Sequence, residues 1–184
     1  MIKWPRERPF TTEPGNRIVS DPRHTVRTGL VVGLIGYASV AAFYSAFDLL
    51  AARGMLYTVN VLGLAVFRGL RDPEVLRVPL PLDARAIVEY NALHLLVALA
   101  IGLIVTGLAQ VALRTPALRH AVRLIIVAGF VVTVGAVALL TTGMRPMLPL
   151  WSIVVANALA TVLAGWYLVR QRPGLWRLLA LAQA

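Results

Sequence analysis

Cysteine is absent from the 184 residues, lysine occurs once, at Lys3, and only eight Asp and Glu stand against 18 Lys and Arg. The missing cysteine excludes a disulfide framework, an iron–sulfur cluster, a thiolate zinc site and a cysteine nucleophile. The sequence also lacks a phosphate-cradling glycine loop, an HExxH or CxxCH signature and a nucleophile elbow. No apolar run holds two carboxylates for proton or metal chemistry. An enzyme is therefore not expected. Charged residues make up 14%, far below the roughly 25% of soluble domains, while 59% are hydrophobic. With a mean hydropathy of +0.77 the chain is neither a soluble globule nor a disordered one. The net charge of +10 fits the flanks of membrane spans better than a nucleic-acid surface.

Four stretches reach the roughly 20 apolar residues that a bilayer crossing needs. They run over about 29–50, 86–113, 124–142 and 150–169. Each must be a helix, because a lone strand leaves backbone groups unsatisfied in lipid, and the alternation of an outer-membrane barrel is missing. The expected fold is all-α: a four-transmembrane-helix bundle over 29–176 between an extended N-terminal tail, 1–28, and a C-terminal tail, 177–184. The N-terminal tail carries Pro5, Pro9, Pro14 and Pro22 and no early apolar core, so it reads as no signal peptide and leaves span one as a retained anchor.

Lys and Arg divide unevenly between the two ends of such a bundle. The N-terminal tail, the second connection (Arg114, Arg119, Arg123) and the C-terminal tail (Arg170, Arg172, Arg177) together hold twelve, against six on the other side. The positive-inside rule then puts both termini in the cytoplasm, here of a bacterial inner membrane.

The connection between spans one and two, 51–85, is long and apolar. Its middle, about 58–71, reads as a short helix capped by Thr58 or Asn60 and ended by Asp72-Pro73. At about 1.5 Å per residue it is too short to cross. It is expected to lie at the outer interface or to pack on the bundle, with an apolar face on show.

Ionisable groups in spans call for an explanation. Asp48, near the end of span one, is expected to pair with Arg53 or to cap the next segment; contact with a partner subunit is the alternative. Span two is densest in polar groups: Glu89, Tyr90, Asn91 and His94, with Tyr90 and His94 on one helix face. His94 either hydrogen-bonds another span or ligates a haem iron or chlorophyll magnesium. His24 and His120 fall near the opposite face, so a bis-His haem within the chain is not expected. Asn157, Thr161 and Gly165 on span four, the alanines at 156, 160 and 164, and Gly29 with Gly33 on span one read as close helix contacts. Trp151, Trp166, Tyr167 and Trp176 read as headgroup-level anchors, and the basic C-terminal tail as a contact with anionic phospholipid.

The segment Asp48 to Gly54 followed by Leu56-Tyr57-Thr58, then Glu89 to His94, then Trp151 through Asn157 to Tyr167 and Arg172-Pro173, resembles a group of small bacterial four-span membrane proteins without an assigned activity. The resemblance covers Gly29 to Trp176 and implies an architecture rather than a mechanism.

The expected function is a non-catalytic accessory subunit of a multi-subunit membrane complex, respiratory or photosynthetic, in contact with other integral membrane subunits and phospholipids and with no nucleic acid. No cofactor is expected. The alternatives are a subunit that carries haem or chlorophyll on His94, and a small oligomeric transporter with the Glu89–His94 face lining a path.

Overall fold

The computed structural model describes residues 22–72, 74, 76, 79–172, 174 and 175. The tail before Pro22, Trp176 and the remainder of the C-terminal tail, with their expected roles, lie outside the described residues.

Five helices form, and no strand occurs among the described residues: α1 (Pro22–Leu50), α2 (Tyr57–Phe67), α3 (Ala84–Arg114), α4 (Arg119–Leu140) and α5 (Leu150–Gln171). All but α2 are long and apolar enough to cross a membrane. At 31 residues α3 is about 46 Å long, and the 22 residues of α4 and α5 make about 33 Å each, one bilayer core. The chain is a helical membrane protein.

Two boundaries differ from expectation. Helix α1 is described from Pro22, ahead of the expected start near Gly29. Residues 22–28 are thus helix and not tail. Helix α2 ends at Phe67, before Asp72: Gly69 adopts φ +68° and lets the Leu70 N–H turn back onto the Leu64 carbonyl.

The spans form a ring in which α1 packs on α3 and α5, and α4 lies opposite α1 in slight contact with α3 and α5. The α1–α3 contact is nearly backbone on backbone. A Cβ added to Gly33 would sit 2.7 Å from the Leu99 Cα, one on Gly29 2.9 Å from the Leu103 Cα, and one on Gly102 would run into Gly29 and Gly33. The expected small-residue pair on span one is therefore a working contact, and Gly102 is its unforeseen partner.

Helix α2 fills the end of the ring where α1 finishes and α3 begins. Eight of its eleven residues are buried, including Tyr57, Val61, Leu62 and Leu64. They share a core with Leu76, Ala86, Met144, Met147 and Leu148. Of the two placements expected for this helix, the packed one occurs, and the apolar face is spent inside the protein. Gly63 allows it, since a Cβ there would collide with the Ala86 carbonyl. A second, smaller cluster at the far end joins Val32, Ala109, Leu168 and Leu175.

Candidate functional site

At the end of α1 the chain reverses through Ala52, whose φ of +54° is unusual for a residue with a Cβ. The Arg53 N–H returns to the Asp48 carbonyl at 3.0 Å, which closes a helix-terminating turn. That turn folds the Arg53 guanidinium back over the Asp48 carboxylate, 3.3 Å away.

Asp48 is 1% exposed. Its Oδ2 accepts from the Thr58 N–H at 2.7 Å, and its Oδ1 from the Thr58 hydroxyl at 2.7 Å. Helix α2 starts after Leu56, which offers no side-chain cap, so a carboxylate from the preceding span satisfies a first-turn amide. The expectation that Thr58 or Asn60 caps α2 is corrected: Thr58 receives the cap, and Asn60 is engaged elsewhere. The expected Asp48–Arg53 pair is present.

Arg53 extends the node. Its Nη1 donates to the Met147 carbonyl at 2.9 Å, and its guanidinium lies over the rings of Phe47 and Tyr57 at 4.9 and 4.7 Å. One side chain thereby joins α1, α2 and the α4–α5 connection. Tyr57 donates to the Leu76 carbonyl at 2.9 Å, and burial pushes its phenol up despite the opposing pull of Arg53.

Asn60 bridges to the segment ahead of α3, donating to the Pro81 carbonyl and accepting from the Asp83 N–H, both at 3.0 Å. Asp83 then caps α3 by accepting from the Ala86 N–H at 2.9 Å. That amide, helped by the Arg68 guanidinium at 3.2 Å, holds the Asp83 carboxyl below its ordinary value. Arg68 also reaches Glu89 at 3.0 Å, and these carboxylates raise its own proton affinity. Arg85 meets the other Glu89 oxygen at 2.8 Å.

The polar group on span two therefore divides. The Glu89 carboxylate is held by Arg68 and Arg85, whereas Asn91 and His94 face α1. Tyr37 donates to Asn91 Oδ1 at 2.9 Å, and the His94 ring lies 5.1 Å from Tyr37 and 6.1 Å from Tyr90. Glu89 is turned to Arg68 and Arg85, and His94 to the rings of Tyr37 and Tyr90. His24 lies in the first turn of α1 and His120 at the start of α4, at the end remote from α2, so neither joins His94. Among the described residues no group of three His, Asp or Glu side chains is placed to hold a metal.

Beside His94 lies a partly open cleft of about 110 Å³ between α1, α2 and α3. Val40, Val59 and Leu62 give it an apolar wall, and Ser45, Tyr90 and His94 line it with polar groups. Tyr37 and Tyr44, not singled out from the sequence, frame this region. With Asp48 they fall at spacings of seven and four on α1, a helical face that the sequence does carry.

On α5 the expected cross-helix bonds do not form among the described residues. Asn157 donates to the Ile153 carbonyl and Thr161 to the Asn157 carbonyl, each at 2.8 Å within the same helix, and Gly165 has open space beside it. The reason is local: a carbonyl one turn back is always in reach of such side chains. The alanine row is the one turned inward, with Ala156 fully buried and Ala164 against the second cluster. Trp151, at the start of α5, and Trp166, near its end, are both more than half exposed, with Trp151 edge-on to Phe47 and Arg170 over Trp166. Tyr167 is half-buried and packs against the second cluster. Near it, Arg172 donates to the Thr25 hydroxyl at 3.1 Å, and burial lowers its proton affinity.

No family model matches the chain, and neither a curated protein nor a solved structure does.

Proposed function

We propose that the chain is a non-catalytic accessory subunit that assembles with other integral membrane subunits in a bacterial inner membrane, both termini cytoplasmic, with respiratory or photosynthetic complexes as the candidate setting. The single observation that carries this reading is the condition of α4. Of its 22 residues only Val122 is buried, while Leu124 is 70% exposed and Leu139 77%.

Lipid covers any apolar helix, so exposure by itself does not choose a protein neighbour. The small residues exposed on α4 support one. Gly129 and Gly135 have nothing within 4 Å of where a Cβ would stand, and the half-buried Thr133 donates to the Gly129 carbonyl of its own helix. In α1 and α3, Gly29, Gly33 and Gly102 stand where two helices close to backbone contact, while Gly36 and Gly107 have open space as on α4. Glycine facing lipid gives up about 1 kcal/mol of helix propensity relative to alanine for no packing return. A span of another subunit laid along Gly129, Thr133 and Ala136 supplies that return.

Native mass spectrometry of material extracted from its own membrane in mild detergent tests the reading. The expected outcome is a larger assembly that holds this chain in fixed stoichiometry. Recovery of the chain alone and monodisperse overturns it.

A further inference from the structure

Three side chains on the wall of the cleft carry hydrogen-bonding groups that no other described residue engages: the Ser45 and Tyr90 hydroxyls and the His94 imidazole. His94 meets Tyr37 and Tyr90 through ring contacts, and the Tyr37 hydroxyl donates its hydrogen bond to Asn91 Oδ1. Polar groups left without partners at membrane depth are costly, and an occupant that bonds to them removes that cost.

Size and charge restrict the occupant. The cleft, at about 110 Å³, is on the scale of the roughly 150 Å³ cavity that accepts benzene, so it suits one six-membered ring and not a tetrapyrrole. Its one ionisable acid, Asp48, already receives both Thr58 bonds and Arg53, which leaves neither a free anion to draw a cation nor a free cation to draw a phosphate. What the wall offers is two hydroxyl donors, one imidazole N–H and the apolar faces of Val59 and Leu62.

We propose that this cleft binds the head of a neutral, lipid-soluble molecule of the benzoquinone type, a single ring bearing carbonyl oxygens on an apolar tail. Tyr90 and His94 donate to the carbonyl oxygens, Val59 and Leu62 cover the ring, and the tail leaves through the open side of the cleft. Such binding does not depend on the accessory-subunit reading, because the site is complete within one chain.

The test uses the full chain in phosphatidylcholine nanodiscs and a photoreactive azidobenzoquinone with a decyl tail. Labelling is expected to saturate, to map to residues 40–62 and 84–94, and to be competed by decylbenzoquinone but not by decylbenzene, which lacks the carbonyls. Tyr90→Phe and His94→Ala are each expected to weaken binding about tenfold, the loss of one hydrogen bond, with His94→Gln recovering part of it. Labelling that does not saturate, or that decylbenzene competes equally, overturns the proposal without any variant being needed. So does an unchanged affinity in a Tyr90→Phe protein that retains the parent melting temperature.

Discussion

Asp48 shows how one side chain decides the geometry of an end of the molecule. It holds the start of α2 through two bonds to Thr58 and the α4–α5 connection through Arg53. Asp48→Ala removes the carboxylate and leaves a largely buried guanidinium without its counter-charge, a change that costs about 3–5 kcal/mol in comparable sites. The expected result is a marked fall in the melting temperature in detergent. Thr58→Val, which loses the hydroxyl bond but keeps the amide bond, is expected to cost about 1 kcal/mol. Equal melting temperatures for the two variants would refute the capping role.

Asp83 carries a pH dependence at the same scale. Its carboxyl is held below the ordinary value by the Ala86 amide and then Arg68. A group whose folded value is depressed adds stability above its unfolded value, about pH 4, and loses it as pH falls through the folded value. Thermal melts from pH 6 down to pH 3 are expected to show this decline. Asp83→Asn, which keeps a capping oxygen but does not titrate, is expected to flatten it.

At the scale of elements, helix contacts are set by where backbones approach. Gly63→Val or Gly102→Val places atoms where the Ala86 carbonyl or the α1 backbone stands, so the helices must separate. Both variants are expected to unfold at lower temperature or to fail to accumulate. The turn after α1 gives the opposite sign. Ala52 adopts φ +54°, so Ala52→Gly relieves backbone strain and is expected to stabilise by about 1 kcal/mol, read from the same melts. An 11-residue helix is marginal by itself. The burial of Val61, Leu62 and Leu64, together with a cap from α1, is what makes α2 form.

At the scale of the whole molecule, two ends and one side differ. The α2 end is locked by ion pairs and hydrogen bonds, the far end by the Arg172–Thr25 bond, and α4 is loosely attached. Gly129→Leu and Gly135→Leu fill open space, so the melting temperature of the isolated chain is expected to stay within about 1 kcal/mol equivalents of the parent. The same variants are expected to lower recovery of the assembly severalfold by affinity purification. Because the chain has no cysteine, its sidedness is directly testable. Leu82→Cys is expected to react with an impermeant maleimide in spheroplasts, and Leu118→Cys only after permeabilisation. The reverse pattern would invert the proposed topology.

The number of spans was determined by the sequence alone, because hydrocarbon tolerates a backbone only when every peptide group is bonded within its own segment, and the length of an apolar run shows that directly. The Gly29–Gly33 pair and the shared face of Tyr90 and His94 were legible for a related reason: both lie within one helix period. Gly102 as the partner of Gly29, Asp48 as the cap of α2, Asn60 as the tie to α3, and the inward packing of α2 were decided only by tertiary structure. Each depends on residues from separate helices meeting in space, and no local spacing records which span stands beside which. Asn157 and Thr161 mark the same limit from the other side. Their sequence spacing serves equally well for a bond to a neighbouring helix or to the carbonyl one turn back, and only the packed molecule selects between them.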